Sequence, residues 1–199
     1  MLSLEKFLKP LPNIALTAKM RAGKDEVFKI IDSMGFDVER VAFGDFMKKH
    51  FFETFPHIPK EPKPIRLLQK YGQYMRDIYE NVWVDKAMQY MEKRKEELSR
   101  AGLRVPSFIV TDVRQPNEYE AVRKAGFIVV RIEAPLEKRI ERMIALGETV
   151  SPEILNAETE QHIDKFQVDY VLYNDGTKEE LKRQVIELIY QIQLKELNE

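Results

Sequence analysis

Apolar residues occur along the chain in short runs that are separated by longer segments of mixed polarity. Five runs have the length and composition of buried strands, and they cover residues 14–16, 38–43, 108–110, 127–132 and 170–172. Glycine and proline at the ends of the intervening segments favour helices over 24–34, 116–125 and 135–146. Strands that alternate with helices predict right-handed βαβ units. We therefore expect an α/β fold with a five-stranded, mainly parallel sheet that helices cover on both faces.

The C-terminal segment predicts one more helix. Thr177 and Glu180 have the spacing of a capping box, in which each side chain accepts a hydrogen bond from the other residue's backbone N–H. The apolar residues that follow fall on one helical face, and they are Leu181, Val185, Leu188, Ile189 and Ile192. Only residues 57–64, which are rich in proline, have the pattern of a long loop. We interpret this loop as an insertion within a single domain that covers residues 1–199, rather than as a linker between two domains.

Composition and charge exclude several classes of protein. With 32 Lys and Arg against 33 Asp and Glu the net charge is −1, so the chain is not a nucleic-acid-binding polycation. The absence of cysteine excludes disulfides, thiolate metal sites and cysteine nucleophiles, and it fits a reducing cytoplasm. No apolar run approaches the roughly 20 residues that span a bilayer. The three histidines lack zinc-helix spacing, and no G-x-S-x-G elbow occurs. We expect a cytoplasmic protein without a membrane or nucleic-acid partner.

The segment after the first predicted strand carries a phosphate-loop pattern. In parallel sheets ligands bind at the carboxyl ends of the strands. Gly23 and Lys24 match the end of G-x-x-x-x-G-K-[S/T], whereas Ala18 and Asp25 replace the first glycine and the hydroxyl residue. The motif wraps backbone N–H groups around phosphate oxygens at a helix N-terminus, and its lysine adds a point charge. A plain Gly-Lys turn that opens an amphipathic helix explains these residues equally well.

Other charged residues lie where strands end or helices begin. Asp112 follows the strand at 108–110. In phosphate-loop proteins an acidic residue at the end of such a strand organises Mg²⁺. The alternative is that Asp112 only caps a turn. Arg139 and Arg142 are three positions apart and share a helix face that could clamp phosphates. The alternative is an exposed helix of alternating charge. Asp45 and Lys48 open another helix, where solvated side chains are the default.

The order of these pieces resembles the phage and bacterial deoxynucleoside monophosphate kinases and, more distantly, animal-type phosphomevalonate kinase. The stretches that carry the resemblance are 18–25, 43–48, 66–69 with Gly72 and Arg76, 83–84, 111–118, the helix of Arg139 and Arg142, and 159–177. The resemblance implies a three-layer α/β/α P-loop NTPase fold of the nucleoside-monophosphate-kinase type with a helical lid. It places the acceptor-binding helical segment at about residues 44–104 and the lid at about 135–160. Relatives also have Asp after G-K, which accounts for Asp25.

The resemblance further implies a kinase that uses ATP and Mg²⁺ to phosphorylate a nucleoside monophosphate, and it allows a homodimer. The implied catalytic residues are Lys24, Lys48, Arg139 and Arg142. The implied ATP-binding residues are Lys19, Met20, Arg21, Ala22, Gly23, Lys24, Asp25 and Glu26, and Asp25 and Asp112 would hold the metal. The implied acceptor-binding residues are Asp45, Arg66, Gln69, Arg76, Trp83, Arg114 and Glu160. Core packing is the alternative role for Trp83.

Two other functions remain open. A phosphomevalonate-type kinase would use the same ATP machinery on a small branched phosphate. A non-catalytic nucleotide-binding protein is the second, because Ala18 replaces a loop glycine and Glu26 adds a carboxylate where relatives often have a hydroxyl residue.

Overall fold

Five strands form one sheet in the computed structural model, which describes residues 10–148, 150–155 and 158–198. The strands are β1 (Ile14–Ala18), β2 (Val38–Val41), β3 (Ser107–Val113), β4 (Ile128–Glu133) and β5 (Tyr170–Tyr173). Their order in the sheet is β2-β3-β1-β4-β5, and β1 pairs in parallel with β3 and β4 while β4 pairs in parallel with β5. The five apolar runs are thereby confirmed as the strands of an α/β fold. β1 occupies the centre of the sheet.

The predicted strand at 38–43 is wrong at its end. β2 ends at Val41, Ala42 is the extended residue before the next helix, and Phe43 begins that helix. Phe43 is nevertheless buried, so the apolar run continues across the junction between a strand and a helix. Hydrophobicity alone could not locate this junction.

Helices connect the strands. They are α1 (Lys24–Ser33), α2 (Phe43–Thr54), α3 (Ile65–Ile78), α4 (Val82–Arg100), α5 (Pro116–Lys124), α6 (Leu136–Ala145), α7 (Pro152–Leu155), α8 (Glu158–Gln161) and α9 (Lys178–Asn198), with a short 3-10 helix at Ile163–Lys165. Among these described helices none is long and apolar enough to cross a membrane. The chain divides into two compact units: the first comprises the described residues up to Arg40 and from Pro106 onward, and the second is Val41–Val105. That both belong to one kinase domain stays a prediction.

The core of the first unit forms around β1, all five residues of which are buried. α1 contributes Val27, Ile30 and Ile31 to this core. The predicted apolar face of α9 is buried in the same cluster, and α1 and α9 pack against each other. Each of these aliphatic side chains stabilises the fold by about 1.5–3 kcal/mol through burial. The periodicity of the C-terminal segment therefore predicted the correct face of α9.

The ends of β1 and β3 are held together by a buried side chain. The Thr17 hydroxyl donates a 2.9 Å hydrogen bond to the carbonyl oxygen of Val113, at a point where the register between the two strands shifts. The residues that follow β1 and those that follow β3 consequently start from neighbouring positions at the carboxyl edge of the sheet. This placement brings the phosphate-loop candidate next to Asp112 and Arg114.

The second unit has an aromatic core. Trp83 is almost completely buried, and its indole N–H donates a 3.2 Å hydrogen bond to the carbonyl oxygen of Gly72. Tyr71 packs edge-on against Phe51 and Phe55 in the same unit. Gly72 brings α3 close to α2, because a Cβ at this position would touch the Met47 side chain at 3.4 Å.

Candidate active site

Residues 19–23 form the loop between β1 and α1. Arg21 has a φ of 62° and Gly23 has a φ of 111°, and Arg21 is the one non-glycine residue with a positive φ in the described part of the chain. Gly23 is also the residue that precedes α1. Left-handed residues among right-handed ones turn successive N–H groups to one side, and this is how backbone concavities for anions are built. Ala18 lies before this curvature, as the buried last residue of β1, so the sheet accommodates its Cβ.

Arg142 and Asn174 hold the loop by its carbonyl groups. Arg142 Nη1 donates to the carbonyl oxygens of Arg21 at 3.0 Å and Ala22 at 3.4 Å, and Nη2 donates to the Asn174 carbonyl and side-chain oxygens at 2.9 and 3.1 Å. Asn174 Nδ2 donates to the carbonyl oxygen of Ala22 at 2.8 Å. A Cβ on Gly23 would overlap this amide. The described hydrogen bonds of Arg142 thus fix the loop, and its predicted contact with a transferred phosphate stays a prediction.

Three consecutive loop residues contact carboxylates from later in the chain. Lys19 pairs with Asp164, the backbone N–H of Met20 donates to Glu160 Oε2 at 2.6 Å, and Arg21 Nε donates to Glu148 Oε2 at 2.7 Å. The hydrogen bond from Arg21 to Glu148 lies within the first unit. The backbone hydrogen bond from the Asn174 N–H to the Glu133 carbonyl oxygen lies within the same unit. We call Glu148, Glu160 and Asp164 the acidic trio. Carboxylates therefore contact one N–H group and two cationic side chains of the loop.

Glu160 joins the loop to two arginines. Arg114 Nη1 donates to Glu160 Oε1 at 2.9 Å, and Arg139 Nη1 lies 3.7 Å from Glu160 Oε2. Glu160 is only 3% exposed and Arg139 5%, and Arg139 Nη1 makes no hydrogen bond within the described part of the chain. The structure thus brings together at one carboxylate three groups that were predicted separately from the sequence: the loop, Arg114 and Arg139. Their roles toward substrate stay predictions.

Lys24, the first residue of α1, is influenced by two carboxylates, those of Asp25 and Asp112. Its Nζ lies 3.4 Å from both carboxylate oxygens of Asp25, and its side chain is 21% exposed. Burial lowers the pKa of Lys24; Asp25 opposes this effect, Arg114 adds to it, and Asp112 opposes it. Lys24 is therefore within electrostatic range of all three residues.

Asp25 and Asp112 are the candidate metal ligands. No group of three or more carboxylates or histidines that could hold a metal occurs among the described residues. Mg²⁺ at phosphate sites typically takes only one or two carboxylates and completes its shell with phosphate oxygens and water. Asp25 and Asp112 both raise the pKa of Lys24, and these two carboxylates fit that donor set. Glu26, the unexpected carboxylate of the loop region, pairs instead with Lys178 of α9 at 3.6 Å.

The predicted acceptor residues in the second unit lie on α2, α3 and α4. Lys48 pairs with Asp45 one turn earlier on α2 at 2.6 Å. Arg66 and Gln69 are exposed on α3, and helical spacing puts Arg76 on the same face. The burial of Trp83 and its hydrogen bond to Gly72 match the core role that was the alternative for this residue. Contact of these side chains with an acceptor stays a prediction.

Asn174, Glu148 and Asp164 contact the loop although no role was predicted for them from the sequence. Asn174 directly follows β5, so the rule that ligand-binding residues follow strands could have identified it. Glu148 and Asp164 meet the loop from 127 and 145 positions away along the chain. No local pattern marks a carboxylate for a contact at that distance.

Comparison with known proteins gives the fold. No family model matches the chain. The chain is 24% identical over 189 residues to a UPF0200 protein of Sulfurisphaera tokodaii, and the match covers 90% of this chain and 96% of that protein. The structure is similar to the dephospho-CoA kinase from Campylobacter jejuni, with a TM-score of 0.55, 16% identity and coverage of 92% and 98%. It is also similar to the shikimate kinase from Bacteroides thetaiotaomicron, with a TM-score of 0.54, 13% identity and the same coverage. The chain therefore shares the α/β fold of these two kinases.

Proposed function

We propose that the protein transfers the γ-phosphoryl group of ATP to the phosphate of a (deoxy)nucleoside monophosphate. The observation that carries this proposal is the position of the Glu160 carboxylate, which accepts from the loop at Met20 and from Arg114 and lies beside Arg139. A loop N–H and two guanidinium groups that surround one anionic group are suited to a phosphoryl group in transfer. Fold alone does not imply function, so the proposal rests on this site.

Catalysis at such a site is mainly positioning and charge neutralisation. Both reactants are anionic, and phosphoryl transfer asks little covalent chemistry of the protein. Lys24, Arg114 and Arg139 supply positive charge, Arg114 being the residue that the resemblance assigns to the acceptor phosphate. Asp25 and Asp112 would hold Mg²⁺, which neutralises charge on the β- and γ-phosphates. Arg142 keeps the loop carbonyls in place, so that the loop N–H groups keep their direction.

The second unit carries the proposed acceptor residues. Gln69 offers both a donor and an acceptor for a base edge, and it is exposed on α3 together with Arg66. Arg76 is on the same helical face, where its guanidinium suits a phosphate. Lys48 is assigned to the phosphoryl group through the resemblance, and its ion pair with Asp45 orients its amine. An exposed amide beside an arginine favours a nucleotide over phosphomevalonate, which has no base.

An assay of ADP release with Mg·ATP over a panel of acceptors tests the proposal. The panel contains dGMP, dTMP, dCMP and AMP, with phosphomevalonate, shikimate and dephospho-CoA as acceptors of other classes. We expect turnover with a nucleoside monophosphate. Turnover with phosphomevalonate alone would contradict this acceptor class and support the phosphomevalonate-type kinase instead. Binding of ATP without product for any acceptor would favour the non-catalytic alternative.

Two lysines of α1 provide a matched pair of variants for the same assay. Lys24→Ala removes a half-buried cation of the site, and we expect kcat to fall by about 10²–10³. Lys29→Ala removes an exposed cation from the same helix, and it should leave turnover unchanged. Equal loss in both variants would show that helix stability, not the position of the Lys24 charge, controls the rate.

A further inference from the structure

The acidic trio contacts three loop residues in succession. Asp164 pairs with Lys19, Glu160 accepts from the Met20 N–H, and Glu148 pairs with Arg21. Carboxylates thus engage, side by side, the backbone and side chains of the segment that is proposed to bind a chain of phosphates. This arrangement belongs to the first unit and involves only described residues.

The three contacts differ in strength. The pairs of Lys19 with Asp164 and of Arg21 with Glu148 are solvent-accessible, with side-chain exposures of 36% and 64% and of 34% and 32%. Accessible ion pairs contribute little. Glu160 is 3% exposed and receives hydrogen bonds from a guanidinium and from a backbone N–H. Charge-assisted bonds in a buried setting are the strong ones, so Glu160 dominates the interaction.

The groups that hold Glu160 are those that bind phosphate oxygens in proteins: a loop N–H and two guanidinium groups. A carboxylate has two oxygens, and it leaves Arg139 Nη1 without a hydrogen bond in the described part of the chain. A phosphate group has more oxygens and can satisfy that donor as well. A phosphate chain is therefore the better ligand of this site, and a carboxylate and a phosphate cannot occupy it together.

We infer that the acidic trio, through Glu160, is a built-in competitor of polyphosphate for the loop, so that a phosphate chain binds only by displacing it. This inference rests on the proposed function, and it concerns the regulation of the same site. The trio neutralises the loop cations before nucleotide binds, and it raises the concentration at which small anions enter. A ligand with several linked phosphates meets all three positions at once and overcomes the competition, whereas a single phosphate does not.

Calorimetric titration with inorganic tripolyphosphate at constant ionic strength tests the competition without any need for turnover. Glu160→Gln keeps the shape of the side chain and removes its charge, and we expect tripolyphosphate to bind about tenfold more tightly, since the competent fraction of the site rises. Glu148→Gln and Asp164→Asn should tighten binding by less than about threefold each, because their ion pairs are accessible. Glu187→Gln, an equal change of charge on the exposed side of α9, is the control for net charge and should have no effect.

Hydrogen exchange on the wild-type protein provides a second test that does not depend on a variant that folds. Amides of α8 should exchange faster when tripolyphosphate binds, because Glu160 leaves the loop. Slower exchange there, or unchanged or weaker binding by folded Glu160→Gln, would overturn the inference, since Glu160 would then belong to the bound state. Failure of both proteins to bind tripolyphosphate would also overturn it.

The two proposals fail separately. Tighter binding by Glu160→Gln together with no transfer to any acceptor would support the competitor and refute the kinase. Turnover with a nucleoside monophosphate together with equal binding by wild type and Glu160→Gln would refute the competitor alone.

Discussion

Asn174 Nδ2 donates a 2.8 Å hydrogen bond to the carbonyl oxygen of Ala22, which joins the residue after the last strand to the loop after the first. Arg142 donates to the same carbonyl and to both oxygens of Asn174. The loop is consequently shaped from behind by an amide and a guanidinium that approach from separate elements. Because the carbonyl groups point to these donors, the direction of the loop N–H groups is fixed as well.

Removing either donor should disturb the loop rather than a single phosphate contact. We expect Asn174→Ala and Arg142→Ala to raise KM for ATP by about tenfold or more, because each removes a hydrogen-bond donor that holds the loop carbonyls. The double variant should lose less than the sum of the single losses, since the two residues contact each other. Steady-state kinetics with varied ATP measure these effects.

Lys138→Ala is the control for this pair and should leave KM unchanged. Lys138 is exposed on α6 and forms an ion pair with Glu141, which is also exposed. A fall in kcat of about 10²–10³ in Arg142→Ala with normal KM, and no effect of Asn174→Ala, would instead place the Arg142 guanidinium on the transferred phosphate.

Gly23→Ala should destabilise the protein and weaken ATP binding. A φ of 111° strains any residue with a Cβ, at a cost of about 1–2 kcal/mol. The added methyl would also displace Asn174 Nδ2 and break its hydrogen bond, at a further cost of about 1–3 kcal/mol. Urea unfolding measures the change in the free energy of unfolding.

Gly126→Ala separates these two contributions. Gly126 has a φ of 76° and open space around its hypothetical Cβ, so this variant carries the backbone strain without the overlap. Equal destabilisation by Gly23→Ala and Gly126→Ala would mean that Asn174 adjusts without loss.

Binding of ATP should weaken at alkaline pH because of Lys24. Burial lowers the pKa of Lys24, so its amine loses its proton at a lower pH than a solvated lysine, whose pKa is about 10.4. The charged amine is the form that attracts phosphate. Affinity therefore falls as pH rises through the lowered pKa, and binding in that range takes up a proton. Calorimetry from about pH 7 to about pH 10 in buffers of different ionisation enthalpy detects both effects.

Lys24→Arg provides the comparison, since a guanidinium keeps its charge throughout this range. Its ATP affinity should be less dependent on pH than that of the wild type, whatever its absolute value. A wild-type affinity that stays constant to about pH 10 would show that the Lys24 charge does not contribute to binding.

Thr177→Ala should destabilise the start of α9. The Thr177 hydroxyl accepts from the Glu180 N–H at 3.2 Å, and Glu180 Oε2 accepts from the Thr177 N–H at 2.7 Å. Loss of a helix cap of this kind costs about 1 kcal/mol. Thr177→Ser keeps the hydroxyl and should retain most of the stability, which thermal unfolding of both variants measures. Equal midpoints for Thr177→Ala and wild type would contradict the prediction.

The sequence predicted the sheet and α9 because both depend on local patterns of burial. Apolar runs mark β1, β3 and β4, and helical periodicity marks the face of α9 that includes Val185 and Ile189. The predicted end of β2 was wrong because the residues on both sides of the junction, Val41 in the strand and Phe43 in the helix, are buried. Where burial continues while the backbone changes its conformation, hydrophobicity gives no signal.

The site was predictable only in part. Its motif residues from 19 to 24 come from adjacent positions in the chain, so their pattern was visible. Glu148 and Asp164 depend on where a distant segment lies, and an exposed carboxylate has the same sequence pattern whether or not it contacts a loop. Trp83 shows a related limit, because an indole suits a core or a pocket wall equally well until its neighbours are known.

The central position of β1 determines when the protein can fold. Ile14 pairs with Ile109 on one side and with Ile128 on the other, so β1 has neither of these partner strands until the ribosome has added about a hundred further residues. Pairings over such distances form slowly, and an apolar strand that waits is exposed to aggregation. Production of the protein should therefore benefit from chaperones that shelter this segment until its neighbours emerge.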